Sequence, residues 1–107
     1  MGHRANSGFD MLDELIERHG AGAILTARPY MLDSGETLRW VLEIDGNDVP
    51  DADVRIDELP ERPDWRVMFL VRGNEELEIE RWSTKRYKDG PTAVIRSLGE
   101  LRRGYRG

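Results

Sequence analysis

Histidine and cysteine, the side chains that most often carry nucleophilic and acid-base catalysis near neutral pH, are scarce or absent in this sequence. Its 107 residues include two histidines, His3 and His19, and no cysteine. A hydroxyl nucleophile activated by imidazole needs that base beside it and a third group to orient the ring. His3 stands near the start of the chain, and His19 closes an amphipathic stretch where an imidazole suits the negative end of a helix dipole. Neither is expected to serve a triad. Lack of cysteine removes thiolate zinc sites, disulfides and thiol nucleophiles together. Gly20-Ala21-Gly22 is the nearest approach to a phosphate cradle, but it follows a predicted helix and leads into a strand, the reverse of the order such a cradle needs.

The carboxylates offer two further arrangements. Asp51, Asp53, Asp57 and Glu58 could converge on a hard cation, yet their spacing misses the EF-hand loop and no glycine stands at its sixth position. Glu76, Glu78 and Glu80 alternate along a strand, which puts all three on one solvated face with nothing to raise a pKa for acid-base work. No catalytic residue, metal site or cofactor is expected, and the chain reads as a non-enzyme.

One constellation remains. Residues 1–80 hold 19 acids against 8 arginines, a net of −11, while residues 81–107 hold 8 cations against 2 acids, a net of +6. The basic segment comprises Arg81, Lys85, Arg86, Lys88, Arg96, Arg102, Arg103 and Arg106, with Trp82 and Tyr87 interleaved at its start. Cations that follow phosphates between rings that stack on bases suit nucleic acid. The same polarity also suits an acidic protein surface, a second copy of this chain, or the chain's own acidic body.

These residues must be positioned by a small domain. With 38% hydrophobic and 35% charged residues, the chain is expected to form one soluble domain over 1–107, with a flexible start at 1–6 and a frayed end at 104–107. The longest apolar run, Val67 to Val71, is five residues, far below the roughly 18 of a membrane span, and no apolar signal region is visible. An intracellular or virion setting is expected, without membrane contact.

Ser7-Gly8-Phe9-Asp10 fits a helix cap ahead of Met11, Leu12, Leu15 and Ile16 at helical spacing, and Gly20 supplies the stop, so a helix is predicted over 8–19. Residues 21–44 read as a hairpin turning at Asp33-Ser34-Gly35-Glu36, with Pro29 requiring an edge, a bulge or an early end to its first strand. The acidic stretch 49–64, interrupted by Pro50, Pro60 and Pro63, reads as a surface connection with at most a short strand at 53–57. A second hairpin, WRVMFLVR and EELEIERW about Gly73-Asn74, is the strongest signal. A regular register puts Leu70 opposite Leu77, Met68 opposite Ile79, Arg66 opposite Arg81 and Trp65 opposite Trp82. An amphipathic helix over 91–103 follows, marked by Ala93, Val94, Leu98 and Leu101. The fold class expected is α+β: an antiparallel sheet of four or five strands built from two hairpins, with an N-terminal and a C-terminal helix packed on one face.

On that register Val67, Phe69 and Val71 line a sheet face opposite the helices and need a cover, either a partner surface or, within the chain, an additional strand or the segment 49–56. The function expected is therefore a non-enzymatic interaction or assembly protein, a structural or adaptor subunit of a viral or other multi-protein assembly. Its contacts would be an apolar face of Trp65, Val67, Phe69 and Trp82 together with the basic segment. The partner would be protein, either a second copy or another subunit, in an oligomer or complex. The alternative is a small nucleic-acid-binding regulator that contacts phosphates through residues 81–106.

Overall fold

A computed structural model describes residues 9–87 and 90–104. The chain runs α1 (Phe9–His19), β1 (Ile24–Met31), β2 (Thr37–Ile44), β3 (Asn47–Asp48), β4 (Asp53–Leu59), β5 (Arg62–Arg72), β6 (Glu75–Ser83), β7 (Val94–Ser97) and α2 (Leu98–Gly104). The class is α+β with a helix near each end, as expected, but the strands form two antiparallel sheets. One has four strands in the order β3-β2-β1-β7, the other three in the order β4-β5-β6. They approach each other at both margins, β6 beside β7 and β2 beside β4, and enclose a single core.

Helix α1 forms because its apolar residues recur at helical spacing. Met11, Leu12 and Leu15 are buried on one face, and Gly20, at φ 95°, ends the helix in a conformation that costs other residues. The expected cap at Ser7 lies outside the described residues. From α1, Glu14 reaches the sheet, accepting a 2.7 Å hydrogen bond from Arg72 of β5. That bond and the charge of Arg72 hold the Glu14 carboxyl below its usual range. A carboxyl with a lowered folded pKa stabilises the fold above its unfolded pKa, and the contribution disappears as pH falls through the folded value. Wild type is therefore expected to be more stable than Glu14→Gln at pH 7 and equal to it once the pH lies below the folded pKa of Glu14, where both side chains are neutral. Urea unfolding at the two pH values checks this, and a difference that persists in acid would assign the effect to something other than charge.

Pro29 obeys its constraint in an unexpected way. Strand β1 is interior, but β7 pairs with it only from Ile24 to Ala27, so Pro29 stands where β1 is again an edge. A register shift follows between Tyr30 and Met31.

Three expectations are corrected. The short strand allowed at 53–57 forms and runs on to Leu59, and β5 already begins at Arg62, so less of 49–64 is connection than expected. Asp53–Leu59 pairs with the full-length β5 through a tight turn at Pro60-Glu61, so it lies at the edge of β5 in the sheet plane and does not wrap over a face. Next, the helix expected over 91–103 begins only at Leu98. Val94–Ser97 extends the first sheet instead, because Ser97 and Glu100 form a capping box. The Ser97 hydroxyl accepts from the Glu100 N–H at 3.0 Å, and the Glu100 carboxylate accepts from the Ser97 N–H at 3.3 Å. That pair fixes where the helix starts and leaves the β-branched Val94 and Ile95 to a strand.

The third correction changes which side chains face the core. Hairpin β5–β6 keeps Arg72 opposite Glu75 and Leu70 opposite Leu77, but its register shifts between Met68 and Phe69, giving Phe69 opposite Glu78 and Met68 opposite Glu80. Beyond this bulge Arg66 faces Trp82 and Val67 faces Arg81. One extra residue moves every later side chain of β6 to the other face. Trp82 turns inward, 7% exposed, and Arg81 turns outward. The bulge also separates Arg66 from Arg81, two like charges that the regular register sets opposite each other.

Candidate functional site

The apolar face expected to need a partner is largely closed by its own sheet. Val67 is 3% exposed, flanked in the register by Asp57 and Arg81. Phe69 is half-buried, with the Arg55 guanidinium 4.9 Å from its ring centre. Arg55 spans the face, bonding Asp57 of its own strand at 3.1 Å and Glu76 of β6 at 3.0 Å. The bond to Glu76 in particular holds this guanidinium above its ordinary pKa. Trp65 is half-buried beneath Arg62, whose guanidinium lies 5.5 Å from its ring. Trp82 belongs to the core, and a Cβ on Gly90 would stand 3.1 Å from its ring. Of the four apolar residues expected on this face, Val67 and Trp82 are thus buried.

The basic segment is engaged chiefly by the chain's own acids. Arg81 donates to Glu78 at 2.9 Å, a bond that holds its pKa up, and Lys85 lies 3.3 Å from Asp64. Arg96 donates to Glu80 at 2.7 Å, and Arg102 to Asp13 of α1 at 2.9 Å. Arg86 stacks on Tyr87 at 5.5 Å, and both are exposed, as is Arg103. Lys88 and Arg106 lie outside the described residues. The polarity between the two halves of the sequence is, for four of these cations, an internal pairing, within β6 for Arg81 and across the tertiary structure for Lys85, Arg96 and Arg102. The glutamate ladder on β6 is the other half of it: Glu76, Glu78 and Glu80 each hold an arginine. Among the described residues, no group of three or more His, Asp or Glu side chains gathers as a cation would need, and no helix is long and apolar enough to cross a membrane.

The surface that stands out lies elsewhere, at the far end of the β1–β2 hairpin. From Tyr30 to Arg39 every residue is exposed. Four of these ten are large and apolar: Tyr30, Met31 (55% exposed), Leu32 and Leu38 (58%). The hairpin runs past the sheet that covers its inner face, since β5 and β6 pack against the half of it nearest the core residues Leu25, Ala27, Leu42 and Ile44. Its strands are long enough to keep pairing there, Pro29 with Trp40 and Tyr30 with Arg39. A groove of about 620 Å³ opens where that cover ends, between Pro29, Met31 and Trp40 on one side and Gly90, Pro91 and Thr92 on the other. Half-buried Trp40 joins the two environments, packed against the core and lining the groove. The remaining exposed large apolar residues, Ile24, Ile56, Tyr87 and Ile95, are spread over β1, β4, the segment after β6, and β7.

Charge at this end is unspent. Asp33 and Glu36 in the turn and Arg39 on β2 make no ion pair with any described residue, although Arg39 lies over the Tyr30 ring at 5.6 Å. Arg28, further down β1, is held by Glu43 at 2.8 Å. The sequence contained the signal for this surface in Tyr30-Met31-Leu32 beside a turn and Leu38 just after it. Periodicity counts such residues as sheet interior, and only the placement of the second sheet shows that no described residue covers them. No family model matches the chain, and neither does any curated protein or solved structure.

Proposed function

We propose that the protein is a non-enzymatic interaction subunit, a structural or adaptor component of a multi-protein assembly, that binds another protein surface through the end of its β1–β2 hairpin. The carrying observation is the run of ten exposed residues with four large apolar side chains on a paired, well-formed hairpin. Large contiguous apolar surface mostly marks an interface, whereas singly scattered apolar residues are ordinary. The groove beside Trp40 gives such an interface a recess for an anchoring side chain. Exposed Arg86, Tyr87 and Arg103 are available as further contacts. Nucleic acid is the less favoured partner, because Arg81, Lys85, Arg96 and Arg102 are engaged by carboxylates that would have to be displaced. An intracellular or virion setting fits such a subunit.

A surface kept for a partner contributes little to the fold of the free chain. Met31→Asp with Leu38→Asp is therefore expected to change unfolding free energy by less than about 0.5 kcal/mol, as surface substitutions do. The same pair should also reduce binding of a dye that fluoresces on exposed apolar surface. Urea unfolding and dye titration check both. A loss above about 2 kcal/mol would place these side chains in the folding core and end the reading.

A further inference from the structure

We infer that the free edge of β4, away from the hairpin end, takes an extended basic peptide of another protein as a fourth strand of the β4-β5-β6 sheet. The ladder defines that edge. Arg72 and Glu75 flank the two-residue turn of the β5–β6 hairpin as a bonded pair, so even-numbered residues of β5 bond β6 and odd-numbered ones bond β4. The Thr84 N–H, which donates to the Asp64 carbonyl at 2.7 Å, keeps to this rule. On β4 the ladder is therefore carried by Asp53, Arg55 and Asp57, opposite Val71, Phe69 and Val67. Val54, Ile56 and Glu58 turn their amides and carbonyls away from β5. The Asp53 carboxylate accepts from the Val54 N–H at 2.8 Å, whereas the N–H groups of Ile56 and Glu58 have no partner among the described residues. Strand β2 comes beside β4 but forms no ladder with it. Open ladder groups of this kind are met by an extended backbone.

The side chains along the edge set the chemistry of the partner. Ile56 shares a face with Met68 of the core yet is 37% exposed, so an arriving strand needs apolar side chains on that face. The other face and both ends of β4 are acidic. Residues 51–61 hold five acids against Arg55 alone, and Arg55 is turned across the sheet to Asp57 and Glu76. Asp51, Asp53 and Glu61 make no ion pair with any described residue. Cations on the arriving strand are attracted here, and the β4 edge of a second copy is repelled. A strand that alternates apolar and basic residues meets both faces.

The probe is a short end-blocked peptide of alternating valine and lysine, followed by the anisotropy of an attached dye. It is expected to bind the intact chain, more weakly as salt rises. Two further peptides carry N-methyl groups, one on every valine and the other on every lysine. Neighbouring amides of a strand point to opposite sides, so only one of these sets faces β4. One methylated peptide should lose affinity at least about tenfold while the other keeps it. Ile56→Pro removes an edge donor without touching the ladder to β5, and should weaken binding of the unmodified peptide by a similar factor. The methylated peptides are read on wild-type protein, so the test holds even where Ile56→Pro impairs folding. Absence of binding at millimolar peptide, or equal effects of the two methylations, overturns strand addition. Binding that salt and Asp53→Asn with Glu61→Gln leave unchanged overturns the basic character of the partner.

Discussion

Trp82→Ala is expected to destabilise the fold by about 3–5 kcal/mol, the cost of removing a large buried aromatic side chain. The ring is 7% exposed and belongs to the cluster formed by both sheets and both helices. Its loss leaves a cavity beside Gly90 that cannot close without moving the segment leading into β7. A domain of this size is stable by roughly 5–15 kcal/mol, so a Tm lower by on the order of 20 °C is expected. Calorimetry and urea unfolding measure both. A loss under about 1 kcal/mol would mean that Trp82 faces solvent with Val67 and Phe69, as the unbulged register requires.

Gly90→Val is expected to cost about 2–4 kcal/mol, from backbone strain and overpacking together. Gly90 has φ 85°, a region that a β-branched residue enters only under strain, and its Cβ would stand 3.1 Å from the Trp82 ring. The two contributions separate in a double-mutant cycle with Gly90→Ala. In the Trp82→Ala background the ring contact is gone and only the backbone strain remains, so Gly90→Ala should cost less there than in wild type. Equal costs in both backgrounds would show that the ring and the glycine do not touch.

These two residues also mark how far the sequence could be read. Helix α1 was legible because Met11, Leu12 and Leu15 recur on one face and Gly20 closes it, and all of these hold. The turn of the β5–β6 hairpin and the interior position of β5 were legible for the same reason, a strong local pattern. The bulge was visible only as a break in the alternation of β6, where Leu77 and Ile79 are followed by two charged residues, Glu80 and Arg81, before Trp82. A second hint was Arg66 set against Arg81, a clash of like charge that a regular ladder leaves standing. At the other end, Val94, Leu98 and Leu101 satisfy a helical period and yet belong to a strand and then a helix. The decisive Ser97 and Glu100 pair is a local rule that outranks periodicity over so short a stretch. The candidate site was least legible of all. Exposure of Met31 and Leu38 depends on where a second sheet stops, which is set by contacts between residues far apart in sequence.

Pro29 has a consequence for what the hairpin can become. The Ala23 carbonyl accepts from Leu98 and the Ile24 carbonyl from Asp45, so along β1 odd-numbered residues turn their backbone groups towards β7 and even-numbered ones towards β2. Pro29 is therefore the first residue beyond the end of β7 whose amide would face the open side, and it has none to offer. A strand arriving from another molecule finds a gap in the ladder where it would have to begin. Apolar strand edges left open in this way are the templates on which chains polymerise into fibrils. With that amide missing, the β1 flank of the hairpin offers such a ladder a poor place to start.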